Sequence, residues 1–154
     1  MFKTFFASES RRMGSLVWFL LSCLLFLIDI VSRSLLFSRD IIIIPGFGIH
    51  GFANYHFAFS IALPEWAMYC IYFVVMCLVG YYAFKVWSNL SWTERLAWIL
   101  IISGAMGNLL ERVFLGYVRD FLQIGTGYIN LGDIYIIFGV LYLLYHNFRY
   151  QKAV

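Results

Sequence analysis

Charged residues are scarce in this chain. Of its 154 residues, only 12% are Asp, Glu, Lys or Arg, about half the fraction usual in soluble domains. Hydrophobic residues make up 63%. So few charges could not cover the surface of a soluble domain with polar groups, so we expect a protein embedded in lipid. The length predicts one membrane-embedded domain over residues 1–154.

Cysteine, histidine and clustered basic residues are also few. The three histidines are scattered and no CxxC spacing occurs, so the sequence indicates no metal site. Cys70 and Cys77 are too far apart on one helix for a disulfide. We interpret Cys23, Cys70 and Cys77 as buried packing residues. No basic cluster is interleaved with aromatic residues, which argues against nucleic acid as a partner.

Four apolar segments have the length of transmembrane helices, at about residues 13–36, 65–86, 94–110 and 132–148. An even number of spans puts both termini and the turn between the second and third spans on one side. That side carries Lys3, Arg11, Arg12, Lys85, Arg95, Arg149 and Lys152. The other carries Arg33, Arg39, Arg112 and Arg119. The excess of positive charge predicts cytoplasmic termini and two outward connections.

The first outward connection, at about residues 37–63, is long for a link between spans. Residues 41–44 are four isoleucines closed by Pro45 and Gly46, and Tyr55, Phe57 and Phe59 alternate further on. This pattern predicts short strands with glycine turns. We therefore expect an all-α integral membrane protein, a four-helix bundle with a small outward-facing β-sheet between helices 1 and 2.

Ionisable side chains at the edge of a span are costly, so each raises a functional question. Asp29 and Arg33 are four residues apart on the first helix and can pair. Such a pair is either structural or a brace for an active site. Asn108 and Arg112 repeat this spacing at the outward end of the third helix. The small residues before them, which favour a close helix crossing, include Gly104 and Gly107.

Asp120 and Asp133 fall in the second outward connection, between two apolar helices. Two carboxylates brought close share a proton, so one can activate a water while the other polarises a carbonyl. Aspartic peptidases use this arrangement. The spacing alone does not establish it, because Asp133 could be the N-cap of the fourth helix and Asp120 could pair with Arg119. Asn54 and Asn130 can reach the same edge.

Several blocks resemble the lipoprotein signal peptidases (signal peptidase II), in that family's order. Residues 103–112, SGAMGNLLER, resemble its GN..(D)R block, and residues 116–121, GYVRDF, resemble its G.V.DF block. Residues 130–133, NLGD, are similar to its FN.AD block. Upstream, Asn54 with Ala58-Phe59-Ser60 matches an N...AFS block, and Asp29 matches an aspartate near the end of the first span.

The resemblance implies an endopeptidase that removes signal peptides from diacylglyceryl-modified bacterial prolipoproteins by cutting before the lipidated cysteine. It implies Asp120 and Asp133 as catalytic residues, with neither metal nor cofactor. The residues lining the site would be Asn54, Asn108, Arg112 and Asn130. Those supporting its structure would be Asp29, Arg33, Gly104 and Gly107.

The resemblance also implies a location and a set of partners. We expect a monomer in the bacterial cytoplasmic (inner) membrane, in contact with membrane lipid, with its active site at the outer face. Cyclic peptides of the globomycin type would inhibit it. The implied fold is a four-helix membrane bundle with a small outward sheet and a short helix on the same side.

The chain departs from the family pattern without losing either aspartate. Glu111 replaces an aspartate, Arg33 a lysine and Gly132 an alanine. Ile30 and Ile129 replace a glutamine and a phenylalanine. His56, where glycine is usual, and the bulky Phe57 after it bear on substrate shape and inhibitor fit.

Two other functions are compatible with the composition. One is a non-catalytic relative that binds lipid-modified peptides. The other is a small ion or proton carrier using Asp29, Arg112 and Asp133. A carrier needs ionisable groups through the depth of the membrane. Here the interior of the second span has none and the others gather at one edge, which favours a site at the membrane edge.

Overall fold

Long helices carry most of the chain. The computed structural model describes residues 2–56 and 63–151, which form four α-helices and four strands. The helices are α1 (Phe2–Leu36), α2 (Glu65–Val86), α3 (Trp92–Leu115) and α4 (Leu131–Gln151). The strands are β1 (Asp40–Ile44), β2 (Phe47–Asn54), β3 (Val118–Ile124) and β4 (Gly127–Ile129).

Four helical segments are long and apolar enough to cross a membrane. They are Gly14–Leu36, Trp66–Asn89, Trp92–Leu115 and Leu131–Arg149, of which the second continues past α2 into a short 3₁₀-helix, Trp87–Asn89. The predicted four-helix membrane bundle is thereby confirmed.

The predicted end of the third span was wrong, because α3 continues through Glu111 and Arg112. These two charged side chains lower the mean hydropathy, which argued against extending the span to them. Both are buried inside the protein. The helix ends at Gly116, which adopts a left-handed φ of 79°.

Helix α3 is central, and it packs against α1, α2 and α4. Its small residues permit close approach at two points. A Cβ added at Gly104 would overlap the carbonyl oxygen of Gly132 at the start of α4. A Cβ at Gly107 would overlap the carboxylate of Asp29 on α1. Gly104 therefore lies at a helix crossing, as expected, whereas Gly107 makes room for a buried charged side chain.

The connection between α1 and α2 and the connection between α3 and α4 form one antiparallel sheet with the strand order β1-β2-β3-β4. The prediction placed the sheet in the first connection alone. That was incomplete, because β3 and β4 come from the second. Gly46, with a φ of 76°, makes the turn between β1 and β2. Strand β2 ends at Asn54, before the alternating aromatic residues, and Phe57 and Phe59 lie outside the described residues.

The short outer helix implied by the resemblance is not seen in residues 37–56, 63–64 or 116–130. The cysteine prediction was wrong, because Cys23, Cys70 and Cys77 are all exposed on the helix surfaces. Lipid tails are as apolar as a protein core, so an apolar position in a membrane helix does not imply burial. Many of the buried side chains are instead polar: Asp29, Arg33, Ser103, Asn108, Glu111, Arg112, Asp120 and Asn130.

Candidate active site

Asp120 lies in the middle of β3 and its side chain is only 1% exposed. Its Oδ1 accepts a hydrogen bond from Asn130 Nδ2 at 2.6 Å, and its Oδ2 accepts one from Asn54 Nδ2 at 2.9 Å. Successive side chains of a strand point to opposite faces, so Arg119 points away and pairs with Glu111 at 2.6 Å. The alternative that Asp120 simply pairs with Arg119 is therefore wrong.

Asp133 lies in the first turn of α4, which begins at Leu131. Asn130 precedes the helix, and its Oδ1 accepts a hydrogen bond from the Asp133 backbone N–H at 2.9 Å. Asp133 Oδ2 accepts one in return from the Asn130 backbone N–H at 3.1 Å. These reciprocal bonds form a capping box, with Asn130 at the N-cap. The alternative in which Asp133 is the N-cap was wrong, because the N-cap lies three residues earlier, at Asn130. Its Oδ1 accepts from Asn108 Nδ2 at 2.8 Å.

Asn130 joins the two carboxylates. Its side-chain amide donates to Asp120 and its backbone N–H donates to Asp133. The structure thus brings Asp120, Asp133, Asn54, Asn108 and Asn130 together at one end of the bundle. Every one of the four carboxylate oxygens receives one N–H donor.

Burial raises the pKa of Asp120 from 3.8 to about 6. The hydrogen bond from Asn130 opposes this rise in pKa, and the negative charge of Asp133 adds to it. The hydrogen bond from Asn54 and the positive charge of Arg33 oppose it further. The carboxyl of Asp120 therefore exchanges its proton close to neutral pH, where general acid and base groups work best.

Arg33 lies at the centre of a buried cluster. It pairs with Asp29 at 2.7 Å, as the spacing predicts, and with Glu111 at 2.9 Å. It also donates to the side chains of Asn108 and Asn130. The Asp29–Arg33 pair is thus both an ion pair within α1 and a contact to the residues that hold the aspartates. Glu111 was expected only as a departure from the family pattern, and its place in this cluster was missed because its partner Arg33 comes from another helix.

Arg112 lies on the other side of the site and is also buried. Its Nη2 donates to the His56 carbonyl at 3.0 Å, and its guanidinium lies 5.0 Å from the centre of the Tyr72 ring. Its Nε is buried and has no hydrogen-bond partner among the described residues. The backbone N–H of His56 donates to Asn54 Oδ1 at 3.1 Å. The backbone of His56 therefore connects Arg112 to Asn54, which donates to Asp120. Phe57 lies outside the described residues.

A family model described as signal peptidase (SPase) II matches residues 21–149. This chain belongs to the signal peptidase II family. The lipoprotein signal peptidase of Pseudoalteromonas translucida is 30% identical over 133 residues, which cover 76% of each chain. That of Vibrio cholerae is 28% identical over 133 residues, covering 79% of this chain and 77% of the other. That of Ectopseudomonas mendocina is 33% identical over 126 residues, covering 75% of each.

Two solved structures, each described as a bacterial membrane enzyme, share the fold of this signal peptidase II family member. One has a TM-score of 0.75 at 18% identity and covers 89% of this chain and 90% of that one. The other has a TM-score of 0.70 at 22% identity, with coverage of 84% and 91%. At these identities the likeness establishes the fold, and the predicted four-helix bundle with a small sheet is confirmed by it.

Three of the departures from the signal peptidase II pattern lie in one place. Arg33 contacts Glu111, and a Cβ added at Gly132 would lie 2.7 Å from Arg33 Nη2. The backbone N–H of Gly132 donates to Asp29 Oδ1 at 2.8 Å. The larger guanidinium at position 33 therefore occupies space that a side chain at position 132 would need.

Proposed function

We propose that this protein is an aspartic endopeptidase that removes the signal peptide from diacylglyceryl-modified prolipoproteins, cleaving before the lipidated cysteine. Membership of the signal peptidase II family supports lipoprotein signal peptide cleavage. The observation that supports aspartate chemistry is that Asp120 and Asp133 are both hydrogen-bonded to Asn130. One residue at the N-terminus of α4 therefore contacts both carboxylates.

In the proposed reaction the two aspartates hold one proton between them, because two close carboxylates do not both ionise easily. The ionised carboxylate takes a proton from a water, whose oxygen attacks the carbonyl carbon of the scissile peptide bond. The protonated carboxyl donates its hydrogen bond to the carbonyl oxygen as that oxygen gains negative charge. Collapse of the tetrahedral intermediate breaks the C–N bond, and a proton passes from the dyad to the leaving amine.

The asparagines hold the carboxylates, and Arg112 is suited to bind substrate. Its buried guanidinium carries a positive charge, and its Nε lacks a partner within the described residues. A buried donor without an acceptor is costly. We assign Arg112 the role of donating to a backbone carbonyl of the bound substrate.

An apolar groove between α2 and α3 supports a substrate that carries a lipid. It has a volume of about 710 Å³ and is lined by Tyr69, Phe73, Met76, Cys77, Val79, Gly80, Ile102, Met106, Leu109 and Val113. From Tyr69 to Gly80 it follows α2 for roughly 16 Å. At its upper end the Tyr69 hydroxyl donates to the Arg112 carbonyl. An acyl chain lying along the groove would therefore have its ester end beside the site.

Replacement of either aspartate by asparagine tests the proposal. Asp120→Asn and Asp133→Asn keep the side-chain size but remove the group that exchanges a proton. We expect each purified variant to cleave a lipidated peptide in detergent more slowly by on the order of 10³-fold or more. The double variant should be little worse than either one, because the two residues act as a unit.

Asp40→Asn is the matched control, since Asp40 lies exposed on the same side of the protein. It should cleave at the wild-type rate. Near-normal cleavage by Asp120→Asn or Asp133→Asn would rule out the aspartate mechanism. If wild-type protein bound the lipidated peptide without cleaving it, the non-catalytic alternative would replace the proposal. Proton flux in vesicles would instead favour the carrier.

A further inference from the structure

Arg33 contributes to the amide orientations at the two aspartates, together with the Asp133 backbone N–H, which donates to Asn130 Oδ1 at 2.9 Å. A guanidinium can only donate hydrogen bonds. Arg33 Nη2 lies 2.8 Å from Asn108 Oδ1 and 2.9 Å from Asn130 Oδ1, so both amide oxygens must face it. The amide nitrogens are then free to donate to the carboxylates, and Asn130 Nδ2 also donates to Asn108 Oδ1 at 3.2 Å. Asn108 Nδ2 donates to Asp133 and Asn130 Nδ2 donates to Asp120.

Arg33 can do this because its own position is fixed. It is 0% exposed and makes five hydrogen bonds to four residues. Nε and Nη2 bind the two oxygens of Asp29 at 3.0 and 2.7 Å, and Nη1 binds Glu111 at 2.9 Å. The planar guanidinium is therefore held from α1 and from α3, with Nη2 directed at the two asparagines.

We propose that Arg33 is a positioning residue of this site. Its Nη2 binds the amide oxygens of Asn108 and Asn130, so that one amide nitrogen is directed at each of the two aspartates, Asp133 and Asp120. Its effect on catalysis rests on the proposed peptidase function. Its contribution to the amide orientations rests on its contacts with the two amide oxygens and does not depend on that function. Arg33 makes no hydrogen bond to Asp120 or Asp133, so it acts on them through the two asparagines.

Gly132 completes this arrangement. A Cβ at that position would lie 2.7 Å from Arg33 Nη2 and 2.9 Å from Asp29 Oδ2, both closer than a real Cβ contact. Glycine at position 132 therefore leaves the space that Nη2 occupies. The two positions are coupled, and a methyl group at position 132 would move the guanidinium away from the asparagines.

Arg33→Lys and Arg33→Met separate positioning from simple packing. The Nη2 atom carries two hydrogens and has three acceptors, on Asp29, Asn108 and Asn130, so one hydrogen is shared between two of them. A lysine ammonium has three hydrogens and can supply one to each acceptor. We expect Arg33→Lys to lower the melting temperature, because Glu111 loses a partner, while kcat stays within about fivefold of wild type. Arg33→Met supplies no donor, and kcat should fall by about 100-fold with little change in KM.

The pH profile gives a readout that packing alone would not move. The charged groups facing Asp120 are Asp133 from α4, Arg33 from α1 and Arg112 from α3. The positive charge of Arg33 lowers the pKa of Asp120. The acid limb of kcat/KM should therefore move to higher pH in Arg33→Met and stay in place in Arg33→Lys. An unmoved acid limb in folded Arg33→Met would overturn the proposal. Arg39→Lys, at an exposed position, is the control and should match wild type.

Arg33→Met leaves Asp29 buried without its cation, so a second test keeps every charge. Gly132→Ala should lower kcat by about tenfold, because the methyl group displaces Nη2. Arg33→Lys in the same chain should restore part of that loss, since an ammonium with three bonds moves more readily than a guanidinium with five. Purely additive effects in this double-mutant cycle would show that positions 33 and 132 are not coupled and would overturn the proposal.

Failure of the proposed function is distinguishable from failure of this inference. Absence of cleavage by wild-type protein would refute the peptidase activity. The positioning claim would then be measured by carboxyl ¹³C NMR of labelled aspartate in the purified protein. The titration of Asp120 should shift to higher pH in Arg33→Met and not in Arg33→Lys. Identical titration curves for all three proteins would overturn the claim.

Discussion

At the scale of single residues, Asp120 links stability to pH. Its pKa rises from 3.8 in an exposed chain to about 6 in the folded protein, first because it is buried. The folded state therefore binds this proton more tightly than the unfolded state. The stability from this group is fully present below about pH 4 and is lost as the pH rises through about 6. A shift of this size corresponds to roughly 3 kcal/mol.

Asp120→Asn removes this dependence, because its amide does not ionise. We expect the melting temperature of the variant, relative to wild type, to be higher at pH 7.5 than at pH 4.5 by several degrees. The new amide nitrogen at position 120 would face a donor from Asn54 or Asn130, and that cost is the same at both pH values. An equal difference at both pH values would contradict a raised pKa. The exposed Asp40→Asn variant measures the background.

At the scale of helices, the groove between α2 and α3 predicts where the lipid of the substrate binds. Gly80 lines the groove and has no atom within 4 Å of the position of a Cβ, so a side chain can begin there without a clash at its Cβ. Gly80→Phe would fill the lower part of the groove. We expect KM for a diacylglyceryl peptide to rise by about tenfold, with kcat little changed, since the aspartates are distant.

Gly14→Phe is the matched control for this helix surface. Gly14 also has open space at its Cβ but lies at the start of the α1 span, away from the groove. Its KM should equal that of wild type. If Gly80→Phe and Gly14→Phe behaved alike, the groove would hold ordinary membrane lipid and the acyl chain would bind elsewhere.

At the scale of the whole molecule, the orientation in the membrane stays a prediction. Three of the four arginines on the outward side, Arg33, Arg112 and Arg119, are committed to the site and its network. Only Arg39 is exposed there. Without these three arginines in the count, the excess of positive charge on the side of the termini is larger, which supports cytoplasmic termini and an outer-face site.

Labelling of single cysteines in intact cells tests this orientation. Ile42 in β1 is 78% exposed, and Trp92, at the start of α3 on the opposite end, is 68% exposed. In a chain whose three native cysteines are replaced by serine, an impermeant thiol reagent should label Ile42→Cys before lysis. Trp92→Cys should be labelled only after lysis. The reverse pattern would place the termini outside.

The sequence by itself determined the features that depend on local composition. The apolar runs specified four spans, because a membrane accepts few other segments, and residues 41–44 specified β1 through their β-branched side chains. Ionisable residues at a span edge marked the site, since each one is costly in lipid. The two glycines before Asn108 marked close approach around α3.

Only the tertiary structure decided which polar side chains meet. Strand β3 pairs with β2, which comes from the other connection. A short stretch of sequence contains no information about such a distant partner. Arg33 lies 75 residues from Asn108 and 97 from Asn130, so their contacts depend on how the helices pack. Glu111 could be placed inside a helix end only once Arg33 and Arg119 were known to neutralise it. Long-range pairing of buried charges is a property of the packed bundle, and composition does not encode it.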